Sequence, residues 1–266
     1  METPNQESSQ DNRDLNRDNY SISLSDAMAG VFTEPSETFS EVKSSPRKNY
    51  WLIPLLILLL VSVISTVLVL KDEELSSEIS EKQRAKMKEQ FDNLVKEGKM
   101  TREEADEQYE KNEKFFGGMI FMIFGLTGTL FSVLIFFFGK SLIYWIINKI
   151  LKGNANFIDM LNLAGLAGLI SCVQIVINTS LAIITGKLLM NIGPVMFISR
   201  DSISEPVYKL LASVDLINFW YLVVLSIGFS KFSGINQTNS YIIIFLLWLV
   251  WLMMVVFGPF GMFAGG

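Results

Sequence analysis

The stretch WLIPLLILLLVSVISTVLVL, residues 51–70, decides the fold class of this chain. It contains no charged side chain, and a small soluble domain could not bury an apolar run of this length. An α-helix rises ~1.5 Å per residue, so it needs ~20 apolar residues to cross the ~30 Å hydrocarbon core of a bilayer. The stretch therefore predicts a helix that spans a membrane.

Four further apolar segments predict that the protein is an all-α, polytopic transmembrane bundle extending over residues 50–262. The five predicted spans are residues 51–70, 116–138, 161–185, 210–230 and 241–257. The second apolar region, residues 115–151, is too long for one perpendicular helix. We expect its span to end before Lys140 and to continue as an interfacial stretch; a longer, tilted span is the alternative.

The chain before the first span divides into two parts. Residues 1–20 have almost nothing to bury, which predicts a disordered polar tail. Residues 21–49 mix apolar and polar side chains in a pattern typical of short amphipathic helices that lie in the membrane interface. We therefore expect this second part to rest on the bilayer surface.

Residues 72–114 are strongly charged, yet their apolar side chains recur at helical spacing. Gly98 is typical of the end of a helix, and Thr101 with Glu104 forms the sequence pattern of a capping box. This segment is predicted to be a charged helical hairpin, inserted outside the membrane between the first and second spans.

The composition excludes several classes of function. The 266 residues are half apolar and carry a net charge of −5, which argues against nucleic-acid binding. With no histidine and one cysteine, the chain cannot form an intrachain disulfide, a zinc site of the usual Cys/His kind or an imidazole-based acid–base site. No phosphate-binding loop, nucleophile elbow or pair of intramembrane carboxylates is present. We expect no catalytic residues, no metal and no cofactor, and hence no enzyme.

Polar residues inside the predicted spans are the candidates for function, because they are costly in lipid unless they are paired or wet. The candidates are Lys140, Gln174, Asn178, Asp215 and Asn218. Each also has a structural interpretation. The lysine can extend to the headgroups, the aspartate can cap a helix, and the amides can bond to neighbouring helices. The alternative is one polar cluster that binds an ion, a solute or a partner.

Other residues are candidates for packing and anchoring. Small side chains at four-residue spacing allow helices to approach closely, and they occur at Ala164, Gly168 and Cys172 and at Gly128 and Ser132. Basic and aromatic residues next to the first span are expected to contact lipid headgroups at the interface. These anchoring residues are Lys43, Arg47, Lys48 and Trp51.

Basic residues near the membrane indicate the topology. If the mixed-charge hairpin is set aside, most of the remaining lysines and arginines lie on the side of the N-terminus. Positive loops face the cytoplasm, so we expect the N-terminus inside the cell and the hairpin outside. Five spans then place the C-terminus outside.

Three motifs resemble a known family. They are DLINFWYLVVLSIG followed by FSKFSG at residues 215–234, FTEPSETF at residues 32–39 and KGNANF at residues 152–157. In wording, order and spacing, the chain is similar over about residues 28–260 to bacterial Yip-domain proteins, relatives of the eukaryotic Yip (Ypt/Rab-interacting) membrane proteins. The resemblance implies an all-helical membrane domain with a cytoplasmic N-terminus. The Asp-Leu-Tyr-Gly-Pro-type element of the eukaryotic relatives is missing, which argues against GTPase binding.

We therefore expect a non-catalytic, multi-pass protein of the bacterial cytoplasmic membrane. It is expected to organise lipids or partner proteins through its N-terminal helices and its hairpin. Its partners would be the bilayer and another membrane protein or a second copy of the chain, with no nucleic acid. The alternative function is transport of a small solute or ion through the polar residues of the bundle.

Overall fold

A computed structural model describes residues 21–46, 49–113, 118–188, 191–198 and 202–257. Within these ranges the chain is helical, which confirms the predicted all-α class. The helices are α1 (Leu24–Thr33), α2 (Pro35–Ser44), α3 (Leu52–Lys71), α4 (Glu73–Lys96), α5 (Arg102–Glu113), α6 (Gly118–Ile150), α7 (Phe157–Thr185), α8 (Glu205–Ala212), α9 (Leu216–Ser233) and α10 (Gln237–Phe257). A short 3₁₀ helix, Pro194–Phe197, precedes α8.

Five of the described helices are long and apolar enough to cross a membrane: α3, α6, α7, α9 and α10. Helix α7 lies at the centre and packs against α3, α6 and α9, while α10 packs against α9. An unbroken buried run from Met160 to Ile170 gives α7 its central position. Because other helices surround α7, most of its apolar side chains are buried. The outer spans α3, α6 and α10 instead leave most of theirs at least partly exposed.

Helix α7 lies close to the backbone at the start of α3 at Gly165. A Cβ atom added to this glycine would lie 2.7 Å from the Cα atom of Trp51, at the start of α3. The predicted stripe of small residues on α7 lies beside this contact. Ala164 and Cys172 are buried, and Gly168 faces the Leu58 side chain. A side chain at Gly165 would separate the two helices, so the glycine sets their spacing.

The second predicted stripe makes no such contact. A Cβ atom at Gly128 would have nothing within 4 Å, and Ser132 is exposed. Instead, α6 meets α3 through Gly125, which faces Leu70, and through Thr129, whose hydroxyl lies 2.9 Å from that of Thr66. The prediction failed because the spacing of small residues does not reveal how a helix is rotated about its axis.

Helix α6 runs without interruption through Gly139 and Lys140. The predicted span and the predicted interfacial stretch are therefore parts of one helix, and the position of the second part relative to the membrane stays a prediction. Residues 116–117 of the predicted span lie outside the described residues. A glycine inside a helix costs only about 1 kcal/mol relative to alanine. Breaking the helix in lipid would leave backbone groups unbonded at a cost of several kcal/mol each, so the helix continues.

The N-terminal helices pack against protein. Their apolar side chains Val31, Phe39 and Val42 are almost completely buried, in the same core as residues of α7 and α9. The Tyr50 hydroxyl donates a 2.7 Å hydrogen bond to the carbonyl of Ile22, which fixes the start of this segment. Protein therefore covers the apolar faces that we expected lipid to cover, because an apolar face looks the same in the sequence in both cases. The position of the segment at the membrane interface stays a prediction.

Lys43 is likewise held by protein rather than left for headgroups. Its ammonium donates to the carbonyl oxygens of Lys231 and Phe232 at the end of α9, at 3.0 and 2.7 Å, and to Asn154 Oδ1 at 3.1 Å. Trp51 packs against Phe138, with ring centroids 6.1 Å apart. The other two predicted anchors, Arg47 and Lys48, lie outside the described residues, as does the predicted tail, residues 1–20.

Helices α4 and α5 form the predicted hairpin. Asp72 is the one residue between α3 and α4, and its carboxylate accepts the Leu75 N–H at 3.0 Å as an N-cap. At the turn, the predicted capping box is confirmed: Thr101 Oγ1 accepts the Glu104 N–H, and the Glu104 carboxylate accepts the Thr101 N–H. Gly98 has the expected positive φ, 69°.

Candidate functional site

Asp215 is the centre of the polar residues inside the bundle. The predicted fourth span, residues 210–230, is divided in the structure into α8 and α9, and Asp215 is the N-cap of α9. Its Oδ1 atom accepts the backbone N–H groups of Ile217 at 2.7 Å and Asn218 at 3.3 Å. The carboxylate supplies the acceptors that the first turn of a helix lacks, which confirms the capping interpretation.

The same carboxylate also joins two amides of α7. Its Oδ2 atom accepts hydrogen bonds from Gln174 Nε2 at 3.0 Å and from Asn178 Nδ2 at 3.4 Å. Asp215 is only 2% exposed, so these bonds form away from bulk water. Capping and clustering therefore occur together at one residue, although the sequence presented them as alternatives.

These residues line a pocket of about 440 Å³ between α7, α9 and α10, which we call the polar pocket. The described residues that line it are Val69, Gln174, Asn178, Thr179, Ala182, Asn191, Ala212, Ser213, Asp215, Asn218, Trp248, Trp251, Leu252 and Val255. The last four of these lie on one face of α10, because their spacing follows the turn of a helix. Four of the five predicted candidates thus meet at one pocket.

Asn191 is a pocket residue that the sequence did not single out. It belongs to the connection between α7 and α8, and it is 6% exposed. Its side-chain amide donates to the carbonyl oxygen of Ala212, at the end of α8, while its Oδ1 atom is buried without a hydrogen-bond partner among the described residues. An asparagine in a loop of irregular composition carries no periodic signal, so only the folded contact with α8 reveals it.

Lys140 does not join the polar pocket. It lines a neighbouring groove of about 470 Å³, in which its ammonium lies 5.7 Å from the ring centroid of Tyr221. Asn218 and Trp248 line both the groove and the pocket. Lys140 lies less than one helical turn after Phe138, whose ring makes an edge-to-face contact with Trp51. Along the length of the bundle, Lys140 therefore lies near Trp51, the tryptophan that we predicted to lie at the membrane interface.

Among the described residues, N–H groups and no basic side chain bind the Asp215 carboxylate. No lysine or arginine is among the described residues that line the polar pocket. Four N–H donors are sufficient to hold a buried carboxylate, but they do not neutralise it. The described part of the pocket thus combines a carboxylate that has no basic residue beside it with amide oxygens that have no donors.

These features define a class of protein: an all-helical, multi-pass integral membrane protein, with five candidate spans among its described residues and a carboxylate buried in its bundle. The sequence model of the Yip1 domain matches residues 29–258, and the chain belongs to this family, as its motifs led us to expect. The chain is also similar to membrane protein YknW of Bacillus subtilis (strain 168). The two are 28% identical over 222 residues, which cover 81% of this chain and 82% of the relative. No solved structure matches the chain.

Proposed function

We propose that this Yip-family protein is a non-catalytic scaffold of the bacterial cytoplasmic membrane, and that its helical hairpin recruits a partner protein. The observation that carries the proposal is the incomplete core of the hairpin. Within its described residues only Leu75 and Ala105 are buried. The other apolar side chains of the predicted helical stripe on α4 remain half-exposed: Ile79, Met87, Phe91, Leu94 and Val95.

The arrangement of the hairpin supports this role. Helix α4 is attached to the bundle near its first turns, where the Glu78 carboxylate accepts the Leu188 N–H at 3.4 Å. Helix α4 also packs against α5. Two helices that share a thin apolar contact leave part of that surface for a further helix to cover.

We further propose that the hairpin faces the cell exterior and that α1 and α2 face the cytoplasm. Lys43 binds the end of α9 and Asn154, so the N-terminal helices and the α6–α7 connection share one end of the bundle. The hairpin base contacts the α7–α8 connection at the other end. The first of these ends also carries Lys149 and Lys152, the lysine excess that indicates the cytoplasm.

Photo-crosslinking in cells tests the scaffold proposal. A photoreactive residue replacing Phe91, on the half-exposed stripe, is expected to capture one defined partner. The same residue replacing the exposed Asn93 is the matched control and is expected to capture little. Deletion of residues 75–112 should leave the bundle helical and remove the captured species. Capture that survives the deletion, or equal capture at both positions, would show that the hairpin is a passive insertion.

A second candidate function is transport of a small solute or ion. It is favoured by the convergence of Gln174, Asn178, Asp215 and Asn218 on one pocket. Flux into proteoliposomes that is lost in Asp215→Ala and Gln174→Leu would support transport. Flux that is unchanged in both variants, or absent in the unmodified protein, would remove this candidate.

A further inference from the structure

We infer that the polar pocket is a binding site for a small organic cation that carries an ammonium group with N–H donors. The inference concerns binding alone and goes beyond the scaffold proposal, because the pocket lies in the bundle and away from the hairpin tip. Three properties of the pocket lead to this ligand: its charge, its unused acceptors and its shape.

The charge of the pocket selects a cation. Asp215 is 2% exposed, and the described lining contains no basic side chain to balance it. A buried charge is stable when it is both hydrogen-bonded and paired. The four N–H groups around Asp215 provide the first condition, and a bound cation would provide the second.

The unused acceptors select a cation that has hydrogens to donate. Only the amide nitrogen of Asn178 can donate to the Asp215 carboxylate, and only that of Asn191 can donate to the Ala212 carbonyl. Each amide is thereby oriented, and each leaves its Oδ1 atom buried with no partner among the described residues. Two buried amide oxygens without donors are a costly arrangement that an ammonium group would relieve.

The size and walls of the pocket select an organic cation over a bare metal ion. Its volume of about 440 Å³ lies in the range that accommodates small organic ligands. Trp248 and Trp251 form part of the wall, and aromatic rings attract organic cations through their faces. The remaining lining from α10 and α3 is aliphatic and suits a short carbon chain.

Isothermal titration calorimetry on the full chain in detergent tests the inference with three probes at constant ionic strength. Ethanolammonium should bind saturably with one site per chain. Its neutral isostere, ethylene glycol, should not bind. Tetramethylammonium has no N–H donor, so its affinity should be at least about tenfold lower than that of ethanolammonium. Equal binding of ethanolammonium and ethylene glycol, or no saturable binding of either, would overturn the inference. So would saturable binding of Na⁺ that ethanolammonium cannot displace.

A matched pair of variants locates the site. Asp215→Asn retains an acceptor for the first turn of α9 but removes the charge, and it should weaken ethanolammonium binding about tenfold or more. Asp159→Asn, at the exposed capping box of α7, should leave binding unchanged. Equal affinity in both variants would overturn the assignment to this pocket. The result is separable from the scaffold proposal, because binding here does not require the hairpin partner.

The ammonium group could belong to a free amine or to a lipid headgroup. Titration in phosphatidylglycerol nanodiscs, with and without phosphatidylethanolamine, distinguishes these sources. Competition by the second lipid would support the inference with a headgroup as ligand. Binding that is unaffected by the lipid would support it with a free amine.

Discussion

The ammonium of Lys43 lies 2.7 Å from the carbonyl oxygen of Phe232, in the last turn of α9. The two residues are far apart in sequence, and their contact holds the N-terminal helices against the end of a span. Backbone carbonyls at the end of a helix lack intrahelical donors and carry partial negative charge. Lys43 therefore caps the C-terminal end of α9, although it belongs to a distant part of the chain.

Lys43→Met is expected to loosen this attachment. The variant removes the charged donor and leaves its carbonyl acceptors unbonded, at a cost of about 1–2 kcal/mol. Limited proteolysis should cut residues 21–46 faster than in the unmodified protein. Lys231→Met, in the same turn of α9, is the matched control and should be cut at the original rate. Identical rates for both variants would show that apolar packing alone holds the segment.

The glycine contact between α3 and α7 is expected to be sensitive to a single methyl group. Gly165→Ala brings a Cβ atom within 2.7 Å of the Trp51 backbone, which cannot move aside as a flexible side chain could. We expect the free energy of unfolding to fall by about 1–3 kcal/mol, measured by denaturant titration in detergent.

Gly128→Ala is the control for this change. It adds the same methyl group where nothing lies within 4 Å. The substitution should raise the free energy of unfolding by about 0.5–1 kcal/mol, because alanine loses less conformational entropy in a helix. A loss of stability at Gly128 equal to that at Gly165 would contradict the packing described for the two helices.

Two N-caps with different surroundings should respond differently to the same substitution. Asp159→Ala removes an exposed capping box and should lower the free energy of unfolding by about 1 kcal/mol. Asp215→Ala removes a cap and also leaves the Gln174 and Asn178 amides without their acceptor, at a further cost of about 1–3 kcal/mol. Thermal unfolding in detergent compares the two variants. Equal losses would mean that the amides find other partners.

The turn of the hairpin should loosen in acid. Arg102 lowers the pKa of Asp92 below its usual value, chiefly through their side-chain hydrogen bond and secondarily through charge attraction. A carboxyl whose pKa is lowered by folding stabilises the fold above its unfolded pKa of about 3.9. That contribution is lost as the pH falls through the lower, folded-state value.

Spin labels attached at positions 89 and 108, in place of Glu89 and Gln108, test this prediction. The distribution of distances between the two labels is measured in a protein that carries Cys172→Ala, so that the native cysteine is not labelled. The distribution should stay narrow from about pH 7 down to about pH 4 and should broaden below that range. Arg102→Gln should already be broad at neutral pH. A distribution that is as narrow in Arg102→Gln as in the unmodified hairpin at neutral pH would refute the role of the Asp92–Arg102 pair.

The spans could be predicted from the sequence because lipid imposes a rule that is independent of tertiary structure. Residues 51–70 have to satisfy every backbone group internally, and only a helix does so. The capping box at Thr101 was equally readable, because its hydrogen bonds are local. At Asp215, the capping ability could be predicted from the sequence. The break between α8, which ends at Ala212, and α9, which Asp215 caps, could not.

The remaining features depend on contacts between distant parts of the chain. Asn191 reaches the polar pocket only because α8 returns to place the Ala212 carbonyl beside it. Gly165, one residue away from the predicted stripe of small residues, makes the close contact because of the rotation of α7 against Trp51. The spacing of residues in the sequence predicts which side chains share a helix face. It does not predict which other helix packs against that face.

Asp72 is the single residue between the first span and the 24-residue helix α4. Helix α4 is ~36 Å long and is joined to the first span by this one residue. Its base is braced where Glu78 meets Leu188, beside the connection that carries Asn191. Because Asp72 joins α4 to the first span without a longer linker, a displacement of the hairpin tip would turn α4 about Asp72 and act on the connection that carries Asn191.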